Sequence, residues 1–261
     1  MNSLIDTVFF SEKRKAVLLL LLESETLSLD EIKSRLNETS VSILPQIKIL
    51  IDRKLVTLEE GKYRLTMLGK IITGNVSPFV KNVSVFEKNT SFWSEHDLTS
   101  IPEKLLKRIG DIGEFEIIDV DLRSVYYDPN PVMKDFIKNA RYINTFITYY
   151  APEYVSTYYE RLLSGIPISV ITTNYLMEMA LKYRNKINDL LRLDNAELYI
   201  CSADTKIAEV TITDKVLILF LYSASGNLNY SYLISQEPSA VLWGEELFEY
   251  LKSRSGRKKE I

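Results

Sequence analysis

Residues 28–54 read SLDEIKSRLNETSVSILPQIKILIDRK, and the fold of the front of the chain turns on them. Ser28 followed three residues later by Glu31 is a capping box, and Leu29, Ile32 and Leu36 supply one apolar face, so a short helix starts at Ser28 and stops near Asn37. A second helix is expected from Thr39 or Ser40 to about Lys54, with Ile43, Ile47 and Leu50 facing inward at spacings of four and three. Pro45 lies in its first turns and predicts either a kink or a true start near Leu44. Upstream, Ser11 suits the N-cap of a helix to Glu23 whose stretch Ala16–Leu22 is too apolar for an open surface. Downstream, Leu55–Leu58 and Tyr63–Thr66 alternate around Glu59-Glu60-Gly61-Lys62, a hairpin signal.

Three helices and a hairpin within 70 residues resemble the winged helix-turn-helix domain of ArsR-like transcription regulators. The resemblance implies that the third helix enters a DNA major groove with Ser40, Ser42, Gln46, Lys48 and Ile49 facing bases, while Lys62 and Arg64 on the wing hold phosphates. It also implies a homodimer, because so few cations per copy need two half-sites. The same three-helix unit suits a protein-binding adaptor, since its reading face is rather apolar.

Composition removes other functions. With 46% apolar and 26% charged residues over 261 positions, the chain can bury a core, and disorder is excluded. Its longest uncharged apolar run, Ala16–Leu22, is far below the ~18 residues of a membrane span. No secretory signal is readable, so the cytoplasm is expected. Cys201 and His96 stand alone, which leaves no intrachain disulfide, no thiolate metal centre and little histidine-dependent catalysis. No GxGxxG or P-loop occurs; Gly110-Asp111-Ile112-Gly113 is a weak echo. No cofactor and no metal are expected.

Charge is uneven. Residues 1–70 carry 11 Lys/Arg against 10 Asp/Glu, residues 71–251 carry 16 against 24, and residues 252–261 carry 5 against 1. An acidic middle repels phosphates, so nucleic-acid contacts belong to the ends. Four segments follow: a winged helix-turn-helix domain at 1–70, a helical connector at 71–113, an α/β regulatory domain at 114–252, and a basic, solvated, disordered tail at 253–261. The connector should run from Met67 to about Asn89 as a helix or as a broken pair of helices interrupted at Gly74 and Pro78. Its stripe of Val80, Val83 and Phe86 is either a dimer seam or a packing face.

From Glu114 strands and helices alternate. Strands are expected at 115–120, 142–148, 166–172, 197–201, 207–212 and 216–221, and helices at 132–139, 152–164, 175–191 and 244–252. This is an α/β mixed sheet between helices. The stretches Phe92–Leu98, Ile101-Pro102, Arg108–Gly110, Val210–Asp214 and Trp243–Phe248 resemble archaeal methanogenesis regulators of the filR type, which join an ArsR-like front to a regulatory middle domain. That resemblance implies a cytoplasmic archaeal transcription factor.

The same half also resembles a phospholipase D fold without its catalytic motif. With the motif aspartate on Asp214, Ile207 replaces the nucleophilic histidine and Glu209 the lysine. Strand carboxyl ends place Tyr149, Tyr150, Thr172, Thr173 and Asn174 where a small, partly polar effector could sit; ordinary packing of tyrosines is the alternative. His96 is read as a structural hydrogen-bonder and Cys201 as a small buried residue. Two further functions stay open: a phosphodiester- or nucleotide-processing enzyme resting on Asp214, and the adaptor.

Overall fold

The computed structural model describes residues 3–119, 131–149, 152–202, 204–228 and 231–261, with the side chains of 131–133 and 152–155 left out. The expectation for Tyr150 therefore lies outside the described residues. The chain divides into two compact units, 1–80 and 81–261. That boundary lies within the segment expected as a connector.

The first unit opens with α1 (Leu4–Phe9), α2 (Glu12–Ser24), β1 (Thr26–Ser28), α3 (Leu29–Leu36) and α4 (Ser40–Asp52). The hairpin β2 (Val56–Glu59) and β3 (Lys62–Leu65) and the helix α5 (Met67–Lys88) follow. Side-chain caps set the helix starts: Ser11 accepts from Arg14 N, Ser28 and Glu31 form the reciprocal box, and Thr39 accepts from Ser42 N. Asn37 ends α3 in the left-handed region at φ 51°, as its short amide side chain permits. Glu60 and Gly61 both have positive φ, as a two-residue hairpin turn requires. β3 lies between β1 and β2 in an antiparallel sheet. Val17, Leu18, Leu21, Ile32, Ile43, Ile47 and Leu50 bury one shared core, so the apolar α2 is covered by its neighbours.

The helix start expected near Leu44 is not observed, because α4 begins at Ser40, and of the two readings of Met67–Asn89 the single helix holds through Gly74 and Pro78. Pro45 lies inside α4 and Pro78 inside α5. Each removes one helical hydrogen bond, but both prolines are exposed, Gly74 and Val41 four residues earlier are exposed too, and water can take the orphaned acceptor.

The second unit contains α6 (Thr90–Glu95), α7 (Glu103–Leu106), a 3-10 turn (Ile109–Ile112), β4 (Glu116–Asp119), α8 (Pro131–Lys138), β5 (Ile143–Ile147) and α9 (Pro152–Leu163). It continues with β6 (Ile168–Thr173), α10 (Asn174–Ala180), a 3-10 turn (Leu181–Tyr183), α11 (Arg184–Leu191) and β7 (Ala196–Cys201). The hairpin β8 (Ile207–Ile212) and β9 (Leu217–Leu221), then β10 (Ser231–Ser235), α12 (Pro238–Ser253) and β11 (Ser255–Lys258) complete it.

The strands form one sheet in the order β11-β7-β6-β5-β8-β9-β10-β4. β5, β6 and β7 run parallel to one another, and every other pairing is antiparallel. One face packs on α12, with Trp243, Leu247 and Phe248 fully buried beside Phe92, Trp93, Ile101 and Leu105. The other packs on α8, α9 and α11 through Ile137, Leu162 and Leu190.

Several expectations are corrected. The helix expected at 175–191 is broken at Leu181–Tyr183, and the last long helix starts at Pro238, a residue suited to a first helical turn, rather than at Gly244. β1, β10 and β11 carry no strong alternation and were not expected. The basic tail is ordered: Ser255–Lys258 pair with β7, and the Ile261 carbonyl accepts from Arg184 and Asn188. Arg257 neutralises Glu197 on the adjoining strand, which offsets the repulsion that a run of cations predicts. Among the described residues no helix is long and apolar enough to cross a membrane.

Candidate functional site

Two places in the molecule carry chemistry. The first is the turn from α3 to α4, only Asn37, Glu38 and Thr39 long, which is within the length of the turn in a helix-turn-helix. Ile43, Ile47 and Leu50 point inward, so the opposite row of α4 is open: Val41 is 87% exposed, and Leu44, Pro45, Lys48 and Ile49 are exposed as well.

The expected reading residues divide on this helix. Ser40 is half-buried in its first turn, and Lys48 is exposed with no ion pair among the described residues. Ser42 donates to the Glu38 carboxylate and to the Thr39 carbonyl, 3.0 Å away. Lys13, at 2.8 Å, and Ser42 hold that Glu38 carboxyl below its ordinary range. The side-chain oxygen of Gln46 accepts from Arg14 Nη1 at 3.0 Å and Ser11 Oγ at 3.4 Å, so Gln46 is turned toward the start of α2. On the hairpin, Lys62 is exposed and Arg64 is ion-paired with Glu59. Sequence periodicity had no means of showing that Gln46 has a partner 32 residues away.

The second place lies on the α8–α9 face of the large sheet. Glu209 on β8 is 1% exposed. It accepts from Thr211 Oγ1 at 2.6 Å and from the Tyr149 hydroxyl, and Thr211 Oγ1 lies 2.7 Å from Thr145 Oγ1 on β5. Burial pushes the Glu209 carboxyl up, while the hydrogen bonds from Thr211 and Tyr149 oppose the rise. The phenols of Tyr158 and Tyr232 are also raised, by burial first and by Glu209 second, and stay protonated at neutral pH.

Beside this cluster is a cavity of about 200 Å³. Its floor is Ile147, Val170, Thr172 and Leu198, and its roof includes Leu176, Met177, Ala180 and Ile187. Of the residues expected at strand ends, Tyr149 and Thr172 line it. Thr173 instead caps α10 by accepting from Leu176 N at 3.3 Å, and Asn174 is exposed in its first turn.

The three positions of the phospholipase D half-motif carry other groups. Ile207 is fully buried, Glu209 sits among hydroxyls, and Asp214 accepts from the Arg141 backbone at 2.8 Å. His96 is buried with Nδ1 against the Phe92 carbonyl, and Cys201 is a free buried thiol. Among the described residues no group of three or more His, Cys, Asp or Glu could hold a metal ion.

These features define a two-unit chain: a small helical unit with a turn-linked helix pair and a hairpin, and a mixed α/β unit with a buried acidic cluster. Residues 3–84 match the family model of the N-terminal domain of methanogenesis regulatory protein FilR1, and residues 126–254 match that of its middle domain. The chain is 25% identical over 254 residues to methanogenesis regulatory protein FilR1 of Methanothrix harundinacea (strain 6Ac), covering 95% of this chain and 56% of that protein. It thus spans little more than half the length of that relative. The two models, for domains of one protein in the same order, together match most of the chain, and the chain belongs to the FilR1 family of methanogenesis regulatory proteins.

Among solved structures, TrmBL2, an archaeal chromatin protein with a novel mode of DNA binding, matches with a TM-score of 0.44 and 12% identity, over 97% of each chain. The phospholipase D family member Nuc from Salmonella typhimurium matches with a TM-score of 0.42 and 12% identity, over 56% of this chain and 99% of that one.

Proposed function

We propose that this chain is a sequence-specific transcription regulator that binds double-stranded DNA as a homodimer through a winged helix-turn-helix, with a non-catalytic α/β unit that senses a small molecule. The observation that carries this reading is the three-residue turn into α4, whose outward row is uncovered, beside a hairpin bearing Lys62 and Arg64. Family membership supports it. Lys48 and Lys62 supply phosphate contacts, Arg64 joins them by exchanging Glu59 for a phosphate, and Ser40 reads bases together with Val41, whose branched side chain suits a thymine methyl. Ser42 and Gln46 join only if DNA displaces the contacts that Glu38, Arg14 and Ser11 make with them.

The dimer seam we assign is the exposed apolar row of the first unit. Met67, Ile71 and Phe79 follow one another at helical spacing on α5, Phe79 meets Phe9 edge to face at 6.0 Å, and Phe10 is 77% exposed. This replaces the stripe of Val80, Val83 and Phe86, of which Val80 packs on the first core and Phe86 on the second. Absence of catalysis is supported by Ile207 and Glu209, which supply neither a nucleophile for phosphodiester transfer nor a cation for its oxygens.

The test is binding to DNA from upstream of its own gene, by anisotropy, at 50 and 200 mM salt. Three cationic contacts per copy give six in a dimer, a log–log slope of about −5.4 and a loss of about 1,800-fold over that range; one copy gives about 40-fold. The exposed apolar row Val41, Leu44, Pro45 and Ile49 favours a second reading, a protein-binding adaptor, and salt-insensitive or absent DNA binding would select it.

A further inference from the structure

The two faces of the large sheet are packed differently. On the α12 side seven residues of that helix are buried, and a Cβ on Gly244 would come within 2.7 Å of Leu217 Cδ1. On the other side α11 buries no residue fully, although Ile187, Leu190 and Leu191 all face the sheet, because they border the 200 Å³ cavity. The helix break at Leu181–Tyr183 lets α10 and α11 arch over β6 and β7 in this way. The cavity is half open to solvent, and its volume exceeds the about 150 Å³ of an apolar void that accepts benzene.

The lining also specifies charge. Glu197 borders the cavity, but its carboxylate is turned to Lys252 at 3.0 Å and Arg257 at 3.2 Å, and it also accepts from Ser169 and Tyr199. Glu209 stands behind Tyr149 and occupies that hydroxyl. Lys186 and Lys182 stand over the rings of Tyr159 and Tyr183, at 4.2 and 5.0 Å from the centroids, but among the described residues that line the cavity no side chain other than Glu197 is ionised, so a charged guest seated by Thr172 would lose hydration without compensation. At one end Thr172 Oγ1 donates to the Ile147 carbonyl at 3.1 Å and keeps its lone pairs as acceptors.

We propose that this cavity binds a compact, uncharged, largely apolar molecule the size of one substituted aromatic ring, anchored by a single donor group on Thr172. This deepens the proposal of a sensing unit, and binding is measured without DNA so that the two fail separately.

The probes are p-cresol, toluene and 4-methylbenzoate, titrated into the full chain carrying ¹³C-methyl methionine and followed at the Met177 methyl. A saturable one-to-one shift is expected for p-cresol and toluene, and binding at least tenfold weaker for anionic 4-methylbenzoate. Ala180→Phe, which fills the space, should abolish the shift. Thr172→Val, which keeps the volume, should weaken p-cresol at least fivefold and leave toluene unchanged. The site is overturned if no probe gives a saturable shift in the wild type, or if folded Ala180→Phe binds as the wild type does. Should Ala180→Phe not fold, Thr172→Val decides: equal p-cresol affinity overturns the assignment.

Discussion

Replacing Glu209 by glutamine should make the second unit's stability nearly independent of pH where the wild type's falls. Glu209 ordinarily titrates near 4.5, and burial in the sheet raises that value in the native state. Between the two values the folded chain holds one proton more than the unfolded chain, so unfolding releases a proton and stability declines as pH rises. The carboxyl's contribution is full below about pH 4.5, decays through the window, and levels off above the native pKa. Inside the window the slope for one proton is about 1.4 kcal/mol per pH unit. Glutamine preserves the shape and an acceptor for Thr211 while removing the proton, so Glu209→Gln should gain on the wild type by up to that amount per unit.

The assay is urea unfolding at half-unit steps from pH 4.5 to 8, read by tryptophan emission. Trp93 and Trp243 are the chain's two tryptophans, and both lie in the 81–261 unit, so the signal reports that unit alone. The small difference near pH 4.5 should widen with pH and then reach a plateau. Parallel stability curves for the two proteins across the whole range would refute the argument, because they would mean that the carboxyl is as solvated folded as unfolded.

Three other perturbations test the packing. Gly110→Ala would put a Cβ 2.6 Å from Lys81 Cβ and 2.8 Å from Asn82 N, on the backbone of α5; a cost of about 1–3 kcal/mol is expected in the tryptophan transition, and an unchanged midpoint would deny that contact. Thr39→Ala removes the acceptor that Ser42 N uses at the start of α4, worth about 1 kcal/mol, and Thr39→Asn should restore it in thermal melts of the first unit's helical signal. Truncation after Arg254 strips β11 from β7 and removes Arg257 from Glu197, so the second unit should melt several degrees lower; an unchanged melt would show that the pairing contributes nothing.

Much of the element order was legible because caps and periodicity are local. Ser11, Ser28 with Glu31, Asn37 and the Glu60-Gly61 turn each announce a boundary from within four residues, and α2, α3, α4 and the hairpin form where those signals place them, whereas α1, capped by Ser3 and Asp6, was not expected. Short strands escaped notice for the opposite reason. Thr26–Ser28 and Ser255–Lys258 become strands only because β3 and β7 present unpaired edges, and those edges are remote in sequence. Cation counts misled in the same way: of the 11 Lys/Arg in residues 1–70, Lys13, Lys15, Lys33 and Arg64 are ion-paired and Arg14 is bonded to Gln46 and the Thr7 carbonyl.

The acidic cluster was hidden by its own regularity. Residues 207–213, IAEVTIT, place Glu209, Thr211 and Thr213 at alternate positions, which is how a strand with one wet face reads. Alternation, however, records only that two faces differ, and whether the polar one meets water depends on what covers it. Helices lie over both faces of this sheet, all six residues of β8 are buried, and its polar row must find partners inside. Glu209 and Thr211 do so with Tyr149 and Thr145, from elements more than 50 residues earlier. A polar stripe on a strand beyond which β9 and β10 follow almost wholly buried in the same sheet therefore marks an internal site rather than a surface. The contiguous apolar runs at 216–221 and 232–234 are the sequence signal that distinguishes the two cases.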